Sequence, residues 1–191
     1  MTKFVLVIAL FLSCLAGVAD AAVVRMFTIL GAIDVELDYS APVTCANFLR
    51  YVNEGAYDNS FFHRSMPGFI IQGGGFAVEH VESDSYVRDI PTYDPIINEY
   101  SPDRSNLFGT IAMAKTDVGP DTATSQWFFN LNDNSANLDN QNGGFTVFGN
   151  VVDGVDVLLA LEALIVWDAT GGDPNSPFGN LPAIDSFTGE T

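Results

Sequence analysis

The stretch FFHRSMPGFIIQGG at residues 61–74 is the most informative run of a 191-residue chain. Pro67-Gly68 marks a tight turn, and Gly73-Gly74-Gly75 closes the run with residues that tolerate positive φ or close backbone approach. The apolar segments between these breaks are too short for a helix and suit short strands joined by turns over Tyr57 to Gly75. In a strand, Ile70 and Gln72 share one face, so an apolar and an amide side chain point the same way. Arg64 stands among aromatic residues in a chain with only 7 Lys+Arg against 24 Asp+Glu. A cation in that setting is an ion-paired surface residue or a placed functional donor.

N-terminal to this run, VVRMFTILGAIDVELD reads as two β-branched segments broken at Gly31-Ala32, the pattern of a hairpin. A helix is predicted next, with Ser40 as its cap, Pro42 in its first turn and Gly55 at its end. Cys45, Phe48, Leu49 and Val52 follow the i, i+3, i+4, i+7 spacing of a buried stripe, so Cys45 reads as an inert core thiol. Residues 76–106 are polar, carry three prolines and read as mostly loop. GTIAMA (109–114), SQWFFNL (125–131) and GGFTVFGNVV (143–152) are strand-like, the last opened by an Asn142-Gly143-Gly144 turn. A second helix is predicted at about 154–164, capped by Asp153, with Val155, Leu158, Leu159 and Ala163 as its apolar face. Residues 171–182 read as loop, followed by a short apolar run, AIDSF. Many short strands with two lone helices indicate a single β-barrel or sandwich with helical caps.

The composition, 48% apolar and 16% charged, is that of a globular domain, and no repeat or linker divides it. A net charge of -17 repels phosphate backbones and anionic lipid, which excludes nucleic acid as an expected partner. Lys3, the apolar run from Phe4 to Leu12 and Ala19-Asp20-Ala21 form a secretory signal pattern, with cleavage expected after Ala21. Residues 1–21 are therefore read as a signal and 22–191 as one domain. Export to the periplasm is the expectation, with secretion, or a lipid anchor through Cys14, as alternatives. The run is too short to span a bilayer. With Cys14 removed only Cys45 remains, so no internal disulfide can form. A G-x-S-x-G elbow, a Walker loop and an H-E-x-x-H motif are all absent from the sequence. Glu79, His80, Glu82 and Asp84 could surround a cation but read better as solvated loop charge. The run NLNDNSANLDNQNGG fails the calcium-loop spacing and reads as turn chemistry.

In the 61–74 run, Phe62-His63-Arg64, Pro67-Gly68-Phe69, Ile70 and Gln72-Gly73-Gly74 resemble the signature of the cyclophilin family of peptidyl-prolyl cis-trans isomerases. GTIAMA, SQWFFNL, Leu138-Asp139 and FTVFGNVVDGVDVL follow in the family's order, so the resemblance covers nearly the whole chain after the signal. It is similar above all to exported bacterial members. The resemblance implies a closed eight-stranded antiparallel β-barrel capped by two α-helices. It also implies catalysed rotation about X-Pro bonds of folding polypeptides, with no cofactor or metal. Phe69, Ile70, Phe128 and Leu138, with Phe145 beside them, would form the proline pocket. Gln72 and Gln126 would orient the peptide, Ala114 would keep the groove open, and the backbone of Lys115 would pair with substrate. His63 would steady the segment around Arg64 rather than transfer protons.

Such chemistry needs no nucleophile. An unaided X-Pro bond isomerises over tens to hundreds of seconds, so a turnover of about 10 per second requires only ~4 kcal/mol of barrier lowering. Twisting the amide breaks its resonance and returns charge to nitrogen, so a donor placed there favours the transition state over either planar isomer. Arg64, permanently charged and carrying five fixed donors, is the candidate catalytic residue. Two positions depart from many eukaryotic relatives: Asn137 stands where a Trp precedes the Leu-Asp pair, and Phe145 replaces a His. These changes put cyclosporin binding in doubt. A monomer is expected, because no long apolar surface helix is left over. The alternatives are a proline-peptide-binding chaperone module with little turnover and, from the acidic loops alone, a calcium-dependent β-sandwich adhesin.

Overall fold

The computed structural model describes residues 22–82 and 84–183; the signal, its cleavage site and most of the AIDSF run lie outside them. Among the described residues, eleven strands and three helices occur in the order β1 (Val23–Thr28), β2 (Gly31–Leu37), α1 (Pro42–Asn53), β3 (Arg64–Met66), β4 (Ile70–Gly73), β5 (Phe76–Val81) and β6 (Asp84–Asp89). These are followed by β7 (Thr110–Met113), β8 (Trp127–Asn130), α2 (Ser135–Leu138), β9 (Val147–Asp153), α3 (Val155–Glu162), β10 (Ile165–Trp167) and β11 (Leu181–Ala183).

Seven strands form one antiparallel sheet in the order β1-β2-β9-β7-β8-β4-β3. Register shifts at Asp34/Val35 and Ile111/Ala112 bend the strands and curl the sheet. The result is an open half-barrel with three helices, not the closed eight-stranded barrel with two helices expected from the sequence. The physical reason lies at the edges. β1 and β3 do not pair with each other; the Ser65 amide on β3 instead donates to the Asn180 carbonyl at 2.7 Å, so the chain just before β11 covers that edge. The remaining strands form two separate ribbons, β5-β6 and β10-β11.

The strand period divides the apolar residues between two faces. Ile71, Ile111, Met113, Trp127, Phe129 and Phe148 point into the main core with Ile33, Val35 and Leu37 of β2 and Cys45 and Phe48 of α1. Their neighbours Ile70, Ala112, Phe128 and Val147 point the opposite way and build a smaller buried cluster with Leu138. This second face carries the candidate site.

The β1-β2 hairpin forms as expected, though its turn falls at Ile29-Leu30, just before Gly31. Several other details differ. Ser40 does not cap α1; its amide and hydroxyl bind Asp38, and Ala41 is the residue before the helix. The first helical amides are satisfied across the fold: the Glu99 carboxylate accepts from Val43 N at 3.2 Å and Thr44 N at 2.7 Å. Asp153 binds only the Gly154 amide, and α3 buries Val157, Leu158 and Leu161 while Val155 and Leu159 remain exposed. That helix is rotated from the predicted face because it packs on β2, where Val157 lies directly against Gly31. Residues 76–89 are a hairpin rather than loop, and Leu181–Ala183 pairs with β10.

Candidate active site

β3 and β4 are antiparallel, with Arg64 opposite Gln72 and Met66 opposite Ile70. β4 in turn pairs with β8, setting Gln72 opposite Phe128. On β8 the next cross-strand neighbour of Phe128 is Ala112. This ladder alone aligns a guanidinium, an amide and an apolar floor across four strands. The floor consists of Ile70, Ala112, Phe128, Leu138 and Val147, with Phe69, Ala114 and Phe145 packed against it and partly exposed. Phe128 and Phe145 meet edge-on, with centroids 5.8 Å apart. The expected pocket residues are therefore brought together.

The polar rim is a chain of side chains. Arg64 Nη1 donates to Gln72 Oε1 at 3.5 Å, and Gln72 Nε2 donates to Gln126 Oε1 at 2.7 Å. Arg64 Nη2 lies 2.7 Å from the Met66 Sδ, a weak acceptor. Burial lowers the Arg64 pKa from its ordinary value; a guanidinium nevertheless stays charged at any physiological pH. Gln126 is brought to Gln72 by the turn after β4. Gly74 has φ +77°, and a Cβ there would lie 2.6 Å from the Ser125 carbonyl, so the two strands approach closely only because residue 74 is glycine.

His63 is 3% exposed, its backbone amide donates to the Gln72 carbonyl at 3.1 Å, and its ring stands edge-on to Phe76 at 5.0 Å. Burial, reinforced by the Arg64 charge, lowers its pKa to about 4, so the ring is neutral at physiological pH. Ala114 donates its amide to the Gln126 carbonyl at 2.9 Å. The Lys115 side chain has a role the sequence did not suggest. Its Nζ donates to the carbonyls of Asn142 and Gly144 at 2.8 and 2.7 Å and lies 4.7 Å from the Phe145 ring centroid. It pins the turn in which Asn142, Gly143 and Gly144 all have positive φ. Burial lowers its pKa, with Asp121 acting in the opposite direction.

Sequence reasoning also missed the scaffold beneath the groove. Asn134 Nδ2 donates to the Phe69 carbonyl at 2.7 Å and to Asn130 Oδ1 at 2.8 Å. Asn130 Nδ2 reaches Asn106 Oδ1 at 3.1 Å and Thr110 Oγ1 at 2.8 Å. Asn106 Nδ2 donates to Asp139 Oδ1 at 2.8 Å and to the Phe145 carbonyl at 3.0 Å. The Phe145 amide closes the set by donating to the Leu138 carbonyl at 2.9 Å. One network thus ties the backbones of Phe69, Leu138 and Phe145, the three walls that do not lie on the sheet. The available signal was the repeated Asn in NLNDNSANLDNQNGG, read as turn chemistry.

Elsewhere, Cys45 is fully buried, and burial, with the charges of Asp38 and Glu99, raises its thiol pKa to about 11, as an inert core cysteine requires. His80 Nδ1 lies 2.8 Å from Ser85 Oγ across the β5-β6 ribbon. Among the described residues no group of three or more His, Cys, Asp or Glu is arranged to hold a metal ion, and no helix is long and apolar enough to cross a membrane.

An apolar floor edged by a guanidinium and two amides is the make-up of a ligand-binding site, a class of protein and no more than that. Comparison with known proteins gives that class its family. The family model described as cyclophilin type peptidyl-prolyl cis-trans isomerase/CLD matches residues 23–178. A peptidyl-prolyl cis-trans isomerase of Acinetobacter baylyi is 39% identical over 164 residues, covering 83% of this chain and 78% of that protein. Peptidyl-prolyl cis-trans isomerase B of Escherichia coli is 42% identical over 131 residues, covering 66% and 75%. A crystal structure of a cyclophilin type isomerase from Cryptosporidium parvum, obtained in the presence of the dipeptide Ala-Pro, superposes with a TM-score of 0.66 at 26% identity, covering 85% and 92% of the two chains. The chain belongs to the cyclophilin-type peptidyl-prolyl cis-trans isomerases, enzymes that catalyse rotation about X-Pro peptide bonds.

Proposed function

We propose that Arg64 is the catalytic residue and that proline-containing substrate lies across Phe69, Ile70, Phe128, Leu138 and Phe145, with Gln72 and Gln126 orienting the peptide. The observation that carries this reading is the ladder alignment of Arg64, Gln72 and Phe128 at the rim and floor of one groove. The proline ring is held by the apolar floor while the residue before it rotates. Arg64, bound among the described residues only by a thioether and one distant amide oxygen, donates toward the nitrogen as the bond twists. Ala114, small and partly exposed, leaves the groove open beside Phe128. The Lys115 backbone is the proposed pairing partner for the substrate chain, and His63, neutral and buried, steadies β3.

The proposed setting is outside the cytoplasm, on polypeptides folding after export, with residues 1–21 as the signal and 22–191 as the working domain. The leader's charge, apolar run and small-residue cleavage site support this. Exchange NMR on an Ala-Pro peptide with the wild-type domain and Arg64→Ala tests the mechanism. Arg64→Ala is expected to slow exchange about a hundredfold while the peptide still binds, the scale of removing one charged donor from a transition state. Unchanged exchange in Arg64→Ala would remove Arg64 from the mechanism. Binding without exchange in the wild type would leave a peptide-binding module.

A further inference from the structure

Met66 is on the same face of β3 as Arg64, two residues along the strand, and the ladder sets it opposite Ile70 of the groove floor. Its Sδ is 2.7 Å from Arg64 Nη2, and the side chain is partly exposed. Ser65 between them points the other way, into the protein, with 1% exposure. A thioether is a poor hydrogen-bond acceptor, so the guanidinium is positioned by Met66 without being held by it. The other methionines of the described residues are placed differently. Met113 is 1% exposed in the main core, and Met26 is on β1, at the opposite edge of the seven-stranded sheet from β3.

We propose that Met66 is a modification site for peroxide, and that its sulfoxide switches the isomerase down by capturing Arg64. This rests on the reading of Arg64 as the catalytic donor. In the step, a thioether lone pair attacks one peroxide oxygen, the S–O bond forms as the O–O bond breaks, and the other oxygen leaves as water after taking up a proton. Sulfur is oxidised by two electrons and hydrogen peroxide is reduced. The product oxygen is a strong acceptor standing where the weak one stood, so a charged donor that was free to turn to the substrate is now bonded in place. The change is reversible, because methionine sulfoxide is reduced back by stereospecific reductases.

The test treats the domain with hydrogen peroxide, follows oxidation of each methionine by peptide mass spectrometry, and reads Ala-Pro exchange together with the Arg64 Nε–H resonance. Met66→Leu is treated in parallel, and each protein is scored against its own untreated rate. The expected result is a roughly tenfold loss in the wild type that tracks Met66 oxidation. A shifted Arg64 resonance should accompany the loss, methionine sulfoxide reductases should restore the rate, and Met66→Leu should show no loss. Full activity with Met66 oxidised overturns the proposal, as does equal loss in Met66→Leu, or a Met66 that stays reduced at a dose oxidising Met26. Arg64→Ala separates the two readings. If that variant is inactive while the oxidised wild type is active, only the switch fails; if it is fully active, the switch falls together with the role of Arg64.

Discussion

His63 shows how much of the site is set by burial rather than by residue type. The native protein holds its imidazole neutral down to about pH 4, whereas an unfolded chain takes up that proton near pH 6.5. Between those values the unfolded state binds more protons, so this residue's contribution is complete above pH 6.5 and is lost as pH falls toward 4. The loss amounts to about 3 kcal/mol. The expected outcome is a His63 Hε1 resonance that titrates near pH 4, with no inflection in isomerase rate near 6.5. A midpoint near 6.5 would show that the ring is solvated. Arg64 and His63 were both legible in the sequence, because a short motif names residue types directly. Met66, two positions on, was not: the strand period puts it on the face of Arg64, but only the register sets it opposite Ile70 of the groove floor.

At the level of elements, the asparagine network does the work that regular secondary structure does elsewhere. Phe69, Leu138 and Phe145 lie in turns, at a helix end or between strands, so no ladder fixes their backbones. Asn106, Asn130 and Asn134, all nearly or fully buried, supply the missing bonds. Replacing Asn106 or Asn134 by Ala should cost about 1–3 kcal/mol in denaturant unfolding and weaken Ala-Pro binding. The double variant should lose less than the sum of the two, because both act through Asn130. Strict additivity would mean two independent local bonds. The strands GTIAMA, SQWFFNL and VFGNVVD were readable because burial on a sheet imprints a period of two. β5 and β6 were not, for the opposite reason. Val81, Tyr86 and Val87 are exposed, and the ribbon meets the rest of the fold only near its base, where Ala77 is buried and bridges Ser60 and the Val78 amide donates to the Asn59 carbonyl, so a core wrote little of its pattern into β5 and β6. The stripe of Cys45, Phe48, Leu49 and Val52 on α1 faces the core as read, whereas the face of α3 was misread for a third reason: that helix is oriented by its seat on β2, which is a tertiary fact.

For the whole molecule, the charge of -17 is carried largely by exposed carboxylates, and few are paired: the described ion pairs are Arg25–Asp34 and Arg50–Glu54. Unscreened like charges repel more strongly in the compact state than in the unfolded chain. Raising ionic strength from about 0.01 to 0.5 M, which shortens the screening length well below 10 Å, should therefore raise Tm by several degrees in calorimetry. A fall in Tm would mean that the surviving ion pairs outweigh the repulsion. Whether the sheet closes was beyond the sequence's reach, because closure depends on which segment reaches the β3 edge first. Here the residue that does so is Asn180, distant in sequence and set in a Gly/Pro-rich tail.

The capping of α1 from Glu99 bears on how the chain acquires its structure. Helices usually carry their own start signal within a few residues, and so can nucleate locally. In α1 the amides of Val43 and Thr44 wait for a carboxylate more than fifty positions downstream. The first turn is therefore completed only when the 90–106 segment has docked, a non-local event whose chain-closure entropy slows folding. An enzyme that speeds a slow step for other polypeptides thus has, in the longest of its described helices, a step that depends on distant parts of the chain meeting.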